Sequence, residues 1–227
     1  MGKKNIILLV GLIVLGLIIV IFFLSPSQKS SDLSDNINAS RDLLSNVSFT
    51  GNVSAEISGD HVLGPYNSEN TIIEYASLTC PHCAIFHGEV FPKIKSELID
   101  KGKVKYIFRD FPIDPLAMAG SMIAHCSGDS KYFGVIDVLL KTQDEWLFDN
   151  ENPYNGLLKV ARLAGLSEEN VKVCLSDNEL FSMIEGNQKL ASSRFGVNGT
   201  PAIFVNNKKI SSLDFDTIMA ELGITAD

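Results

Sequence analysis

The sequence predicts an α/β fold that takes in a block of helices partway along the chain and is preceded by a transmembrane helix. Three observations carry that reading. A strand–helix–strand unit of ordinary length occupies residues 71 to 109. Residues 115 to 194 then carry only helical signals. A short apolar strand returns at Ala202, followed by a turn, a second short strand and one more amphipathic helix.

Each element has a local reason. Ile6 to Leu24 is an unbroken run of 19 apolar residues. At about 1.5 Å per residue it matches a hydrocarbon core of about 30 Å. Lys3 and Lys4 precede it, which keeps the N-terminus cytoplasmic and sends the rest across. The alternative is a cleaved signal peptide, with Ser25-Pro26-Ser27 offering small residues to a peptidase. The run is longer than a signal-peptide core, so 1–24 is read as an uncleaved anchor. Residues 25–58 are rich in Ser, Asn and Asp and read as a flexible polar tether.

The globular pattern starts near residue 59. Thr71 to Ser77 is β-branched and aromatic and reads as a strand after the turn-like Gly64-Pro65. Pro81 to Leu98 reads as one helix with an apolar stripe, kinked at Pro92. Lys103 to Arg109 is a second strand, parallel to the first through a right-handed crossover. Helices are expected at Leu116–His125, Tyr132–Leu140, Leu157–Ala164, after the N-cap Ser167, and at Asn178–Arg194. Ala202–Val205 and Lys208–Ile210 form a hairpin across Asn206-Asn207, and Ser212 is expected to cap the last helix. The division is therefore 59–112 and 196–227 for the two parts of the α/β fold and 113–195 for the helical insertion.

Composition narrows the partners. The net charge is −8, and without the anchor the remainder holds 17 Lys and Arg against 27 Asp and Glu, or −10. An acidic globular part excludes a phosphate-backbone partner. The four cysteines, Cys80, Cys83, Cys126 and Cys174, are too few for a disulfide scaffold but are an even number in a chain that leaves the cytosol.

Cys80-Pro81-His82-Cys83 carries the most information. It falls where the first strand ends and the helix begins, so Cys80 stands near the N-cap. Free backbone N–H groups and the positive end of the helix dipole favour an anion there. Pro81 suits the first turn because its missing N–H is not needed. His82 adds a donor or a positive charge beside Cys80. A favoured thiolate stabilises the dithiol over the disulfide, and the pair becomes an oxidant. Cys80 is expected to be the exposed, attacked sulfur and Cys83 the shielded, resolving one. An inert disulfide closes too small a loop to stabilise much. A zinc site using His82 or His87 lacks a second CxxC. Haem attachment needs His at position 84, which is Ala.

Two distant features support redox chemistry. Glu74 lies in the middle of the apolar strand, where a carboxylate is costly unless it has a task; relaying a proton to Cys83 is one, and a surface strand end is the alternative. Thr200-Pro201 enters the late strand, which suggests a fixed turn, possible as a cis bond or as a trans edge proline.

Glu74 to Cys83, Phe108 to Pro112 and Gly196 to Ala202 together resemble the DsbA-type thiol:disulfide oxidoreductases, over residues 59 to 222. The resemblance implies a thioredoxin fold with an inserted all-helical domain. It implies that Pro201 is cis and packs on the Cys80–Cys83 pair, that Cys80 attacks, and that Glu74 is the family's buried acid. It also implies a DsbB-like quinone-linked membrane partner as reoxidant, unfolded exported proteins with free thiols as substrates, and no prosthetic group. The chain departs from the best-known pattern in its anchor, in Thr200 before the proline and in its second cysteine pair. Thr at that place also occurs in isomerases and reductases, so the direction of exchange stays open. Cys126 and Cys174, 48 residues apart, are expected to form a structural disulfide in an oxidising compartment, with a second redox relay as the alternative. His125 and Trp146 read as ordinary helix and core residues.

The sequence thus predicts an anchored thiol oxidase of the bacterial periplasm, tethered to the inner membrane. An isomerase or reductase on the same fold is the second reading. A tethered metal-binding protein using Cys80, Cys83, His82 and His87 is the third.

Overall fold

The computed structural model describes residues 52–148 and 152–224. The expected membrane segment and the tether up to residue 51 lie outside them. Among the described residues no helix is long and apolar enough to cross a membrane.

The elements run β1 (His61–Leu63), β2 (Thr71–Ala76), α1 (Pro81–Glu89), α2 (Phe91–Ile94), a π-helical turn (Lys95–Ile99), β3 (Lys105–Asp110), α3 (Pro115–Cys126), α4 (Asp129–Lys141), α5 (Gln143–Leu147), α6 (Pro153–Leu163), α7 (Glu168–Leu175), α8 (Asn178–Phe195), β4 (Ala202–Val205), β5 (Lys208–Lys209) and α9 (Phe215–Leu222). The strands form one sheet in the order β1-β3-β2-β4-β5. Strands β2 and β3 are parallel, as the crossover requires, and the other pairs are antiparallel. This is a thioredoxin-like α/β fold with, among the described residues, six helices, α3 to α8, between β3 and β4.

Strand β2 is central and all six of its residues are buried. Ile72 and Ala76 face a core shared with α1, α4 and α6, whereas Ile73 and Tyr75 face a second core closed by Ala191 and Val53. A near-continuous apolar run is the signature of a strand covered on both faces. Glu74 shares the face of Ile72 and Ala76, which turns it toward α1.

Caps fix the helix starts. Asp114, Asn152 and Asp177 accept from backbone N–H groups of the first turns of α3, α6 and α8, and Ser167 forms a reciprocal capping box with Asn170 at α7. The cap of α9 is Asp214, not Ser212: the carboxylate accepts from Thr217 N–H at 2.8 Å, and Ser212 hydrogen bonds to Asp214 instead. The helix expected over Pro81–Leu98 is interrupted at Val90, and Pro92 lies in the first turn of the next segment, where its absent N–H costs nothing. Asn206 and Asn207 both have positive φ, the geometry of a two-residue hairpin. Gly156 lets α6 lie on α5, since a Cβ there would stand 2.6 Å from Trp146 Cα.

Two elements escaped the sequence reading. Strand β1 has only three residues, paired antiparallel with β3 from His61 opposite Phe108. Helix α5 is a single turn and a half. Residues 52–58, at the end of the stretch read as a tether, are held to the sheet. Arg109 on β3 donates to the carbonyls of Val53 and Ala55 at 2.7 and 2.8 Å, to Tyr75 Oη at 2.9 Å and to both carboxylate oxygens of Asp60. Its side chain and that of Asp60 are both almost fully buried. Arg109→Leu leaves Asp60 buried without a counter-charge and is expected to lower stability by about 3 kcal/mol or more. Urea unfolding measures it; a loss below about 1 kcal/mol would show that the clasp contributes little.

Candidate active site

After β2 the chain turns through Ser77–Thr79 and enters α1. Cys80 is the N-cap residue, with φ −82° and ψ 118°, and Pro81 occupies the first helical position. The Cys80 carbonyl accepts from the N–H groups of Cys83 and Ala84 at 3.0 and 3.2 Å. Both cysteines are free thiols, so this is the dithiol form. Cys83 is fully buried, and Cys80 is only 6% exposed. The expectation of an exposed Cys80 is corrected here: its Sγ lies 3.3 Å from the carbonyl oxygen of Thr200, under the loop that leads into β4. The Thr200–Pro201 peptide in that loop is cis.

The two thiols are driven apart electrostatically. Cys80 is lowered from 9.0 to about 5, chiefly by a hydrogen bond from the Cys83 thiol. Burial opposes the shift, while the Thr200 side chain and the backbone N–H groups of Cys83 and His82 add to it. Cys83 is pushed far above the ordinary thiol range, first by burial, then by its hydrogen bond to Cys80 and by the charge of Glu74. At neutral pH the pair therefore carries one thiolate, on the more accessible sulfur. The contribution of His82 comes through its backbone; its imidazole is exposed and makes no hydrogen bond among the described residues.

Glu74 is fully buried, which excludes the surface strand end. Its Oε2 lies 2.9 Å from His87 Nε2 and accepts from Tyr106 Oη. The phenol is held well above its usual range by burial and by Glu74, so it stays a donor. His87 is thus committed to Glu74, and the described residues contain no group of three or more His, Cys, Asp or Glu placed to hold a metal.

Cys126 at the end of α3 is bonded to Cys174 in α7, with Cα atoms 6.1 Å apart. Cys174 packs against Met118, Met122 and Ile184. Trp146 is core, as expected, and donates to the Leu139 carbonyl at 2.7 Å. His125 is more than an ordinary helix residue: its Nε2 lies 2.9 Å from Asp110 Oδ2 and its Nδ1 3.2 Å from His61 Nε2. Sequence reasoning also missed Gln143. This buried side chain of α5 donates to the carbonyls of Leu78 and Cys80 at 2.8 and 3.1 Å. It ties the helical block to the turn that presents Cys80, and no motif marks it.

A strand–turn–helix dithiol with a cis-proline loop across it defines the class. The chain belongs to the thioredoxin family, whose sequence profile, described as thioredoxin, matches residues 56–222. It is similar to α-DsbA1 of Wolbachia pipientis, whose crystal structure superposes with a TM-score of 0.69 at 30% identity, covering 75% of this chain and 92% of that one. Oxidised BdbD of Bacillus subtilis superposes with a TM-score of 0.55 at 27% identity, covering 74% of this chain and 95% of that one. A Rickettsia bellii protein with protein-disulfide oxidoreductase in its name is 34% identical over 165 residues, 72% of this chain and 63% of the relative. The chain thus spans somewhat under two thirds of the length of such relatives.

Two outcomes follow from this geometry. The rate of Cys80 alkylation by iodoacetamide in the reduced protein is expected to fall, as the pH is lowered, with a midpoint near pH 5; a midpoint above 7 would mean that the Cys83 thiol and the N-cap do not hold the thiolate. Gln143→Leu, which leaves the Leu78 and Cys80 carbonyls without this donor, is expected to destabilise the fold by about 1–3 kcal/mol in urea unfolding. An unchanged midpoint would show that the tie is idle.

Proposed function

We propose that the chain is a protein thiol:disulfide oxidoreductase that gives its Cys80–Cys83 disulfide to exported proteins. A substrate thiolate attacks Cys80 Sγ, the Cys80–Cys83 bond breaks, and Cys83 departs with the electron pair and takes a proton. A second substrate thiolate then attacks the first substrate sulfur, and Cys80 leaves as a thiolate. The substrate loses two electrons and the enzyme pair gains them. The backbone at Thr200-Pro201 receives the substrate as an added strand.

The observation that carries this reading is the asymmetry of the pair. Cys80, held at about 5, is a stable leaving group and makes the dithiol the favoured state. The names of the relatives fit protein-disulfide exchange. The similarity of the Cys126–Cys174 environment to an apolar core favours a structural role for that bridge. The helical segment 113–195 acts as an insertion that covers the dithiol from one side. The 19-residue apolar run supports tethering to the inner membrane with the catalytic part in the periplasm. A DsbB-like quinone reductase there would return the dithiol to the disulfide.

The second reading is an isomerase or reductase on the same fold, and it rests on the residue type at Thr200, which also precedes this proline in such enzymes; the help its side chain gives the Cys80 thiolate weighs toward the oxidase. The reduction potential separates the two. Equilibration of the full chain with glutathione buffers, read by alkylation and mass mapping, is expected to give a value well above the approximately −270 mV of thioredoxin. A thioredoxin-like value would favour the reductase. Cys80→Ser is expected to abolish oxidation of a dithiol peptide, and appreciable remaining turnover would contradict the assignment.

A further inference from the structure

Among the described residues, three buried side-chain atoms lack a hydrogen-bond partner: Glu74 Oε1, His87 Nδ1 and Asp110 Oδ1. The first two belong to one hydrogen-bonded pair. Glu74 Oε2 and His87 Nε2 face each other at 2.9 Å, so the unpartnered atoms are the two outer ends of that pair. A buried polar atom left without a partner is costly and calls for an explanation. Two of them at opposite ends of a carboxylate–imidazole pair have the form of a proton wire, with one end for a donor and one for an acceptor.

Each end has a place to go. On one side the charge of Glu74 acts on Cys83, which lies in α1 within the core that the Ile72 and Ala76 face of β2 covers. On the other side His87 forms part of the wall of a cavity of about 380 Å³, bounded by Phe91, Pro92 and Phe133. Exposed Lys95, Asp100 and Lys141 and half-buried Asp137, joined as the pairs Lys95–Asp100 and Lys141–Asp137, stand along it and lead to solvent. The imidazole is held flat against Phe91, with ring centroids 4.6 Å apart. Tyr106 fixes the carboxylate by donating to the same Oε2.

We propose that His87 is the solvent side of a proton relay that ends at Cys83, with the cavity beside it as the entry. This rests on the exchange reaction proposed above. When a substrate thiolate breaks the Cys80–Cys83 bond, Cys83 leaves as a thiolate that its buried site cannot keep. The proton reaches that sulfur by way of Glu74, which draws it at Oε2 from His87 Nε2, 2.9 Å away. The imidazole takes one in turn from cavity water at Nδ1, and the hydroxide so formed is left to solvent. In the reverse direction Cys83 loses its proton along the same path before it attacks a mixed disulfide. His87 touches neither sulfur. It is a positioning residue that works through Glu74. The groups facing the pair are Tyr106 from β3, Cys83 from α1, and the four charged side chains of the cavity.

The test follows resolution of a Cys80–glutathione mixed disulfide, formed by mixing the reduced full chain with oxidised glutathione and timed by acid quench and mass. His87→Gln keeps an N–H donor to Glu74 but cannot exchange protons at a second nitrogen. Both His87→Gln and His87→Ala are expected to slow resolution by about 10²-fold and to steepen its rise with pH. Free imidazole is expected to restore His87→Ala through the cavity and not His87→Gln. Formation of the mixed disulfide should be unchanged in all three proteins. Wild-type resolution in His87→Gln would overturn the relay and leave His87 a structural donor. Slow variants with the wild-type pH profile and no response to imidazole would also overturn it. A wild-type chain that forms no mixed disulfide would instead defeat the exchange reaction itself.

Discussion

The stabilisation of one sulfur anion at the start of α1 is the interaction on which the rest of the site depends. Cys80 takes the N-cap position, where backbone N–H groups are free, and Pro81 lets the helix begin at once. One turn on, Cys83 points into the core and is denied solvent. It serves Cys80 best by staying protonated and donating to it. Burial of one thiol and capping by the other are thus two halves of a single device, and β2 and the Thr200–Pro201 loop hold it from either side.

That device demands a rigid frame. The fully buried β2 delivers the turn, and Gln143 pins the turn by its carbonyls from the helical block. Arg109 gathers residues 53 to 60 against β3 through buried, charge-assisted bonds. The Cys126–Cys174 bond lies elsewhere, between α3 and α7, in a patch of methionine and aliphatic side chains. Nothing around it resembles the Cys83 hydrogen bond and the N-cap that together make Cys80 an anion, which separates a bond that holds the fold from a pair that exchanges.

The parts legible in the sequence were those with strong local signals. The β-branched run of β2, the apolar stripes of the helices and the Cys-Pro-His-Cys junction each obey a short-range rule, and Glu74 stood out because a carboxylate breaks an apolar strand. The short pieces were not legible: β1 has three residues and α5 five, too few for a period to appear. The exposure of Cys80 was misjudged because the covering atom, the Thr200 carbonyl, is 120 residues away. Gln143 was missed as a site residue for the same reason, and His87, weighed only as a metal ligand, was not matched with Glu74. Their partners are set by packing between distant segments, and neither residue type is unusual in a helix.

The central claim is that folding favours the dithiol over the disulfide because Cys80 is a stabilised thiolate. Urea unfolding of the full chain tests it directly, with Cys80–Cys83 reduced or oxidised and Cys126–Cys174 intact in both. The Cys80 value is lower in the folded state than in the unfolded chain. Its contribution is therefore full above about pH 9 and is lost as the pH falls through about 5. Cys83 stays neutral in both states below pH 9 and contributes none of it. At pH 7 the reduced protein should unfold at higher urea than the oxidised one, with the gap narrowing toward pH 5. An oxidised form that is the more stable at pH 7, or a gap indifferent to pH, would contradict the claim.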